Sequence, residues 1–83
     1  MGMNKKFYRG DPYWQNEQPE YADAGKIRVA YYREAGKLHV SVLYRTFEDA
    51  EVKIGKTVVI DEEQFRLNPS FGALLKKVVE EWQ

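Results

Sequence analysis

Basic and aromatic side chains are concentrated in the middle of the chain. Residues 26–56 carry seven basic and four acidic side chains, whereas the whole chain is balanced at 13 of each. Basic side chains can neutralise the phosphates of a nucleic-acid strand, and aromatic rings can stack on unpaired bases at roughly 1–3 kcal/mol each. The residues suited to those contacts are Lys26, Arg28, Tyr32, Lys37, Arg45, Phe47, Lys53 and Lys56. The alternative is that they form only the hydrated face of an antiparallel sheet.

Residue types and spacings that support catalysis or metal binding are missing from the sequence. His39 is the only histidine and there is no cysteine, so a transition-metal site is not expected. Gly55-Lys56-Thr57 is similar to the end of a phosphate-binding loop, but the first glycine of that motif would fall at Ala50. We therefore predict a protein that is not an enzyme and that needs no cofactor.

The first 25 residues hold two of the three prolines and show neither helical nor strand periodicity. We predict an irregular arm over residues 1–25 and a folded domain over residues 26–83. The arm is rich in aromatic residues, namely Phe7, Tyr8, Tyr13, Trp14 and Tyr21. Tyr13 and Trp14 are expected to pack on the domain or on a second copy. The alternative is that the rings contact a ligand together with Lys5, Lys6 and Arg9.

Two alternating segments, residues 26–33 and 38–45, predict a β-hairpin. Gly36 lies in the short connection, where it can supply a positive φ. One face of the hairpin is apolar, and the other carries Arg28, His39 and Arg45. Residues 51–60 also have strand character but are interrupted at Gly55. We favour two short strands there, with a bulge in one long strand as the alternative. The sheet then has three or four antiparallel strands.

Two helix-start signals follow the sheet. Asp61 is a good N-cap residue with acidic residues behind it, and Asn68-Pro69 gives a second start. From there an apolar stripe recurs at helical spacing, consisting of Phe71, Leu74, Leu75, Val78, Val79 and Trp82. We expect this stripe to cover the apolar face of the sheet and, because it is wide, also to meet a second copy. The fold class is thus α+β: a curved antiparallel β-meander followed by a C-terminal amphipathic helix.

Size and composition favour a small intracellular dimer. A domain of 83 residues buries roughly 60% of its unfolded surface, and without cysteine it has no disulfides to reinforce its core. Association into a homodimer would bury more surface. The sequence contains neither a run of 18 apolar residues nor a signal-peptide pattern, so we expect a soluble, cytoplasmic protein without a membrane partner.

The order of elements resembles the positive-cofactor-four family of transcriptional coactivators. The resemblance covers roughly residues 25–83 and is carried by Gly25-Lys26-Ile27-Arg28, Arg33-Glu34-Ala35-Gly36-Lys37, the strand 38–45 with Phe47 behind it, Lys53-Ile54-Gly55-Lys56 and Ile60-Asp61-Glu62-Glu63-Gln64-Phe65. It implies a homodimeric core that binds single-stranded DNA, with Lys26, Arg28, Lys37, Lys53 and Lys56 in the DNA-contacting positions.

The chain departs from that family pattern at three places. Ala35 stands where the family has an aromatic residue, Leu43 stands near an expected basic residue, and Pro69 interrupts the helix. The resulting prediction is non-specific binding of single-stranded DNA or RNA in support of transcription or replication. The alternative prediction is a homodimeric protein-interaction or structural module that does not bind nucleic acid.

Overall fold

The computed structural model describes residues 12–47 and 51–83, and it has the predicted α+β architecture. Four strands form an antiparallel sheet in the order β1-β2-β3-β4, and two helices follow the sheet. The elements are α1 (Tyr13–Asn16), β1 (Glu20–Ala24), β2 (Ile27–Tyr32), β3 (Lys37–Tyr44), β4 (Lys53–Asp61), α2 (Glu62–Leu67) and α3 (Pro69–Trp82).

Strand β1 lies inside the segment that the sequence predicted as an irregular arm. It pairs with β2 along its length, from Glu20 opposite Tyr31 to Ala24 opposite Ile27. Glu, Asp and Ala are depleted in strands, so local propensity did not indicate it. A tight turn at Gly25, with φ of 62°, brings the segment back against β2. Pairing with a neighbouring strand therefore overrides a weak local preference.

The predicted hairpin is confirmed in β2 and β3. Gly36 has a φ of 69°, as its place in the turn requires. The register sets Val29 opposite Val40 and Ile27 opposite Val42, so the apolar residues of both strands share one face. That agreement follows from the two-residue period of a strand, which fixes the facing of every side chain once the register is set.

The interruption at Gly55 is an irregularity in one long strand, so our preference for two short strands was wrong. Strand β4 pairs with β3 through Ser41–Thr57 on one side of the irregularity and Leu43–Ile54 on the other. A Cβ at Gly55 would come within 3.2 Å of the Tyr44 ring, so the missing side chain lets that ring lie against the strand.

The break between α2 and α3 follows the two predicted start signals, with one difference. The Asp61 carboxylate accepts a hydrogen bond from the Glu63 N–H at 2.8 Å and caps α2 as predicted. Asn68, however, does not cap α3 with its side chain. Its amide donates backwards to the Gln64 carbonyl at 2.8 Å and satisfies the end of α2 instead.

Helix α3 packs mainly against α2, which differs from the expected cover over the sheet. The Phe65 and Phe71 rings meet edge to face at 5.9 Å. Gly72 leaves room for the Phe65 ring, because a Cβ there would come within 2.7 Å of it. The chain turns at Asn68, and these contacts hold α3 against α2. The apolar stripe is left largely exposed, with Leu74 at 62% and Trp82 at 84%.

The buried core of one chain is small for its length. Among the described residues, the buried side chains are Ala30, Tyr32, Leu43 and Ser41. The radius of gyration is 15.8 Å, whereas a compact chain of this length is expected near ~12 Å. The molecule is also flat, with extents of 49 × 44 × 18 Å. Within the described part of the chain, none of the helices has the length and apolarity to cross a membrane.

Candidate nucleic-acid interface

The predicted contact residues divide between two ends of the sheet. We call residues 32–37 together with Asp61 the turn end, because they surround the β2–β3 turn. We call residues 25–28, 43–47 and 52–56 the basic end, because they surround the β1–β2 turn and the ends of β3 and β4 that meet beside it. Tyr32 and Lys37 belong to the turn end. The basic end contains Lys26, Arg28, Arg45, Phe47, Lys53 and Lys56.

The cation of the turn end is neutralised within the chain. Lys37 Nζ pairs with Asp61 Oδ2, and the register sets the two residues opposite each other. This hydrogen bond lowers the pKa of Asp61, with a further contribution from the Glu63 N–H, and it raises the pKa of Lys37. Asp61 thus serves both as the cap of α2 and as the partner of Lys37. A phosphate approaching Lys37 would have to compete with that carboxylate.

The aromatic ring of the turn end is covered by the N-terminal segment. Tyr32 is 8% exposed, and the Tyr13 ring lies edge-on to it at 5.2 Å between centroids. Tyr13 Oη is hydrogen-bonded to His39 Nε2 at 2.7 Å, and burial lowers the pKa of His39. The expectation that Tyr13 packs on the domain is met. The same packing leaves Tyr32 without an open face for a stacking base.

A carboxylate from the same segment caps the β2–β3 turn. Glu17 Oε2 accepts from the Glu34 N–H at 2.9 Å, and Glu17 Oε1 accepts from the Ala35 N–H at 3.1 Å. Bonds from backbone N–H groups to an ionised carboxylate are among the stronger hydrogen bonds in proteins. Tyr13 begins α1 and Glu17 follows its last residue, so both ends of this short helix contact the turn end.

Arg28 is held by strand β1. Its guanidinium forms two hydrogen bonds with the Asp23 carboxylate, at 2.6 and 3.0 Å, and it lies 4.2 Å above the Tyr21 ring. The hydrogen bond to Arg28 lowers the pKa of Asp23. The sequence did not indicate these partners, because β1 itself was not predicted. The signal that could have found them is the alternation of Tyr21 and Asp23 just before the Gly25 turn.

The remaining cations of the basic end are exposed. Lys26, Arg45 and Lys56 form no ion pair within the described parts of the chain. Phe47 follows β3 and is 96% exposed. An open hollow of about 380 Å³ lies between the β1–β2 turn and the end of β3, lined by Gly25, Lys26, Leu43, Tyr44, Arg45 and Val52.

The backbone fixes where Lys26 lies relative to Arg45. The Leu43 N–H donates to the Lys26 carbonyl at 2.7 Å, which joins the β1–β2 turn to the end of β3 two residues before Arg45. Lys53 begins β4 and is paired in register with Tyr44. Leu43 stands near the position where the family resemblance predicted a basic residue. It is buried and contributes to the core instead. The basic end thus places several of the predicted cations at one end of the sheet.

Polar groups elsewhere on the sheet make structural contacts. Ser41 Oγ and Thr57 Oγ1 are hydrogen-bonded at 2.7 Å across β3 and β4, and Thr57 also donates to the Gly55 carbonyl at 3.1 Å. Ser41 is therefore hydrogen-bonded to Thr57, as His39 is to Tyr13. Within residues 12–47 and 51–83 there is no cluster of three His, Cys, Asp or Glu side chains that could hold a metal ion.

Comparison of the chain with protein-family models, with curated proteins and with solved structures finds no match.

Proposed function

We propose that this protein binds single-stranded nucleic acid without sequence preference through the basic end of its sheet. The observation that carries the proposal is the composition of the basic end. It contains Lys26, Arg45 and Lys56, which lack carboxylate partners in the described parts of the chain, and the exposed Phe47 ring. Such cations can follow a phosphate backbone, and an open ring can stack on an unpaired base. The cellular setting we propose is support of transcription or replication in the cytoplasm.

The roles of the predicted contact residues differ in this proposal. Arg45, Lys26 and Lys56 neutralise phosphates, Lys53 adds a further positive charge beside them, and Phe47 stacks. Arg28 keeps the β1–β2 region in place through Asp23. Lys37 and Tyr32, which are paired and buried, stabilise the turn end. Binding is expected to be non-specific, because phosphate contacts carry no sequence information and every base presents a face for stacking.

The test is the affinity for a labelled oligo-dT strand as a function of salt concentration. For single strands the logarithm of the binding constant falls with the logarithm of salt by about 0.7 per neutralised phosphate. The double variant Arg45→Ala/Lys56→Ala is expected to bind more weakly and to reduce that slope by roughly 1.4. The matched control is Lys76→Ala/Lys77→Ala, which removes two exposed cations from α3 and is expected to leave both quantities unchanged. Absence of binding by the unmodified protein at low salt would overturn the proposal, and a parallel titration with oligo-U separates DNA from RNA.

A second candidate function is a homodimeric interaction or structural module. The observation that favours it is the exposure of residues that normally form a core, including Val58 and Ile54 of β4 and most of the α3 stripe. Contiguous apolar surface of this kind marks an interaction site. Sedimentation at several concentrations tests it, and a monomer throughout would overturn it. Dimerisation without binding of oligo-dT or oligo-U would favour this second function over the first.

A further inference from the structure

The apolar stripe of α3 is an exposed feature of the fold that the nucleic-acid proposal does not use. Leu74, Val79 and Trp82 are more than half exposed, and Phe71 and Leu75 are more than two fifths exposed. A standard interface buries ~800 Å² on each partner, and five large apolar side chains on one helix face can supply a substantial share of that area. A stripe of this size needs an occupant, and the spacing of its residues indicates which one.

The positions of the stripe read the same in both directions along α3. When the sequence numbers are reversed about the midpoint of the stripe, between Lys76 and Lys77, Phe71 exchanges with Trp82, Leu74 with Val79, and Leu75 with Val78. Two copies of α3 that lie antiparallel across a two-fold axis therefore match apolar residue with apolar residue along the whole stripe. A two-fold interface requires this self-complementarity, because the same surface serves both partners.

An open apolar hollow lies at the Phe71 end of the stripe. It has a volume of about 730 Å³ and is formed between β4 and the two C-terminal helices. Its apolar lining comes from Val58, Val59, Ile60, Phe65, Phe71 and Leu74. Antiparallel pairing brings the Trp82 ring of a second copy opposite Phe71, at this hollow. Trp82 is 84% exposed in the single chain, and a buried tryptophan contributes strongly to an interface.

We propose that α3 is the dimer interface of this protein and that the partner's Trp82 occupies the hollow beside Phe65 and Phe71. This inference rests on the homodimer proposed above and specifies its contact surface. The arrangement also uses the stripe that remains exposed when α3 packs against α2. Each chain then supplies one tryptophan and one hollow, and the dimer buries two copies of the same contact.

Disulfide cross-linking tests the direction of pairing, since the natural chain has no cysteine. In the variant Phe71→Cys/Trp82→Cys the two cysteines of one helix are about 16 Å apart, too far to bridge within the chain. Because this variant also removes the Trp82 ring and so weakens the association, it is oxidised at high protein concentration, where we expect a covalent dimer. The control Ala73→Cys/Glu80→Cys exchanges about the same midpoint but lies on the opposite side of the helix from the stripe, and it is expected to remain largely uncross-linked.

Tryptophan fluorescence tests the burial of Trp82 without cysteines. In the variant Trp14→Phe, Trp82 is the only tryptophan, and its emission should shift to shorter wavelength as the protein dimerises. Trp82→Ala should weaken dimerisation at least tenfold in sedimentation, and its far-UV circular dichroism checks that it folds. A dimer whose Trp82 emission stays that of an exposed ring, with no cross-link between positions 71 and 82, would overturn this interface but leave the homodimer intact. A monomer at all concentrations would overturn both, as would a monomer with a buried Trp82, since α3 would then close on its own sheet.

Discussion

The two ends of the sheet carry the same residue types but use them differently. The turn end has Lys37 and Tyr32, and the basic end has Arg45 and Phe47. Asp61 neutralises Lys37, and Tyr13 covers Tyr32. Arg45 has no ion-pair partner among the described residues, and Phe47 is almost fully exposed. A cation and a ring can therefore stabilise the fold or remain open to a ligand, depending on what the neighbouring elements bring to them.

The largest expected difference between the two ends concerns their aromatic rings. Tyr32→Ala removes a buried ring that contacts Tyr13 and His39, and truncation of a buried aromatic residue costs about 3–5 kcal/mol. Phe47→Ala removes a ring that is 96% exposed and should change the free energy of unfolding by less than about 0.5 kcal/mol. Urea denaturation of both variants at one protein concentration measures the contrast.

The order of the two positions should reverse for nucleic-acid binding, where position 32 is tested with Tyr32→Phe. Phe47→Ala is expected to weaken the binding of oligo-dT severalfold, because an open stacking ring is lost. Tyr32→Phe keeps the packed ring and should bind as the unmodified protein does. Equal stability of Tyr32→Ala and Phe47→Ala would contradict the distinction between a structural end and a binding end.

Glycine substitutions give the second contrast, because each end contains one glycine with a positive φ. An alanine in this conformation costs about 1–2 kcal/mol. At Gly36, in the turn end, the new Cβ would also lie 2.8 Å from Glu62 Oε1 and 3.3 Å from Glu62 Cβ. At Gly25, in the basic end, no atom outside the immediate chain neighbours lies within 4 Å of that position. We expect both alanine variants to be destabilised in urea denaturation, and Gly36→Ala more than Gly25→Ala.

A third contrast concerns the Glu17 carboxylate. Glu17→Gln keeps one oxygen that can accept a hydrogen bond from the β2–β3 turn but loses the charge and the second acceptor. The expected loss of stability is about 1 kcal/mol. Glu80→Gln, on the exposed side of α3, is the matched control and should be neutral within about 0.5 kcal/mol. If the two variants denature at the same urea concentration, Glu17 does not secure the turn end.

Local sequence signals predicted the elements that short-range chemistry determines. The alternation of β2 and β3, the positive φ at Gly36 and the capping Asp61 were predicted correctly. These features depend on a two-residue period, one turn and one cap. The features that were missed depend on distant partners. Strand β1 forms because β2 offers it backbone hydrogen-bonding partners, and α3 packs against α2 because the Phe65 ring fits into the space that Gly72 leaves.

The candidate site was predictable in composition but not in arrangement. All the predicted cations lie on the sheet or its connections, as the strand pattern indicated. Which of them are neutralised could not be derived, because Asp23 and Asp61 are 5 and 24 residues away from the cations that they pair with. The Tyr13 contact with His39 spans 26 residues. The strand register brings Asp23 and Asp61 to their cations, and the packing of α1 on the sheet brings Tyr13 to His39.

The smallest expected effect is the pH dependence of the free energy of unfolding, which arises from His39 beside the turn end. Burial lowers the pKa of His39 below the ordinary value of 6.5, so the unfolded chain binds a proton more readily than the folded chain. Stability therefore rises with pH through this range and is lost as the pH falls from about 6.5 toward the lowered pKa of the folded state. The side chains facing His39 are Tyr13 and Tyr32. The nearby Lys37–Asp61 pair does not titrate in this range, because the pKa of Asp61 is lowered and that of Lys37 is raised.

Urea denaturation at pH 7.5 and pH 5.5 should give a smaller difference for His39→Gln than for the unmodified protein. His39 is not part of the basic end, so binding of oligo-dT by folded protein should stay constant over the same range. A parallel loss of binding and stability would show that the two ends do not act separately.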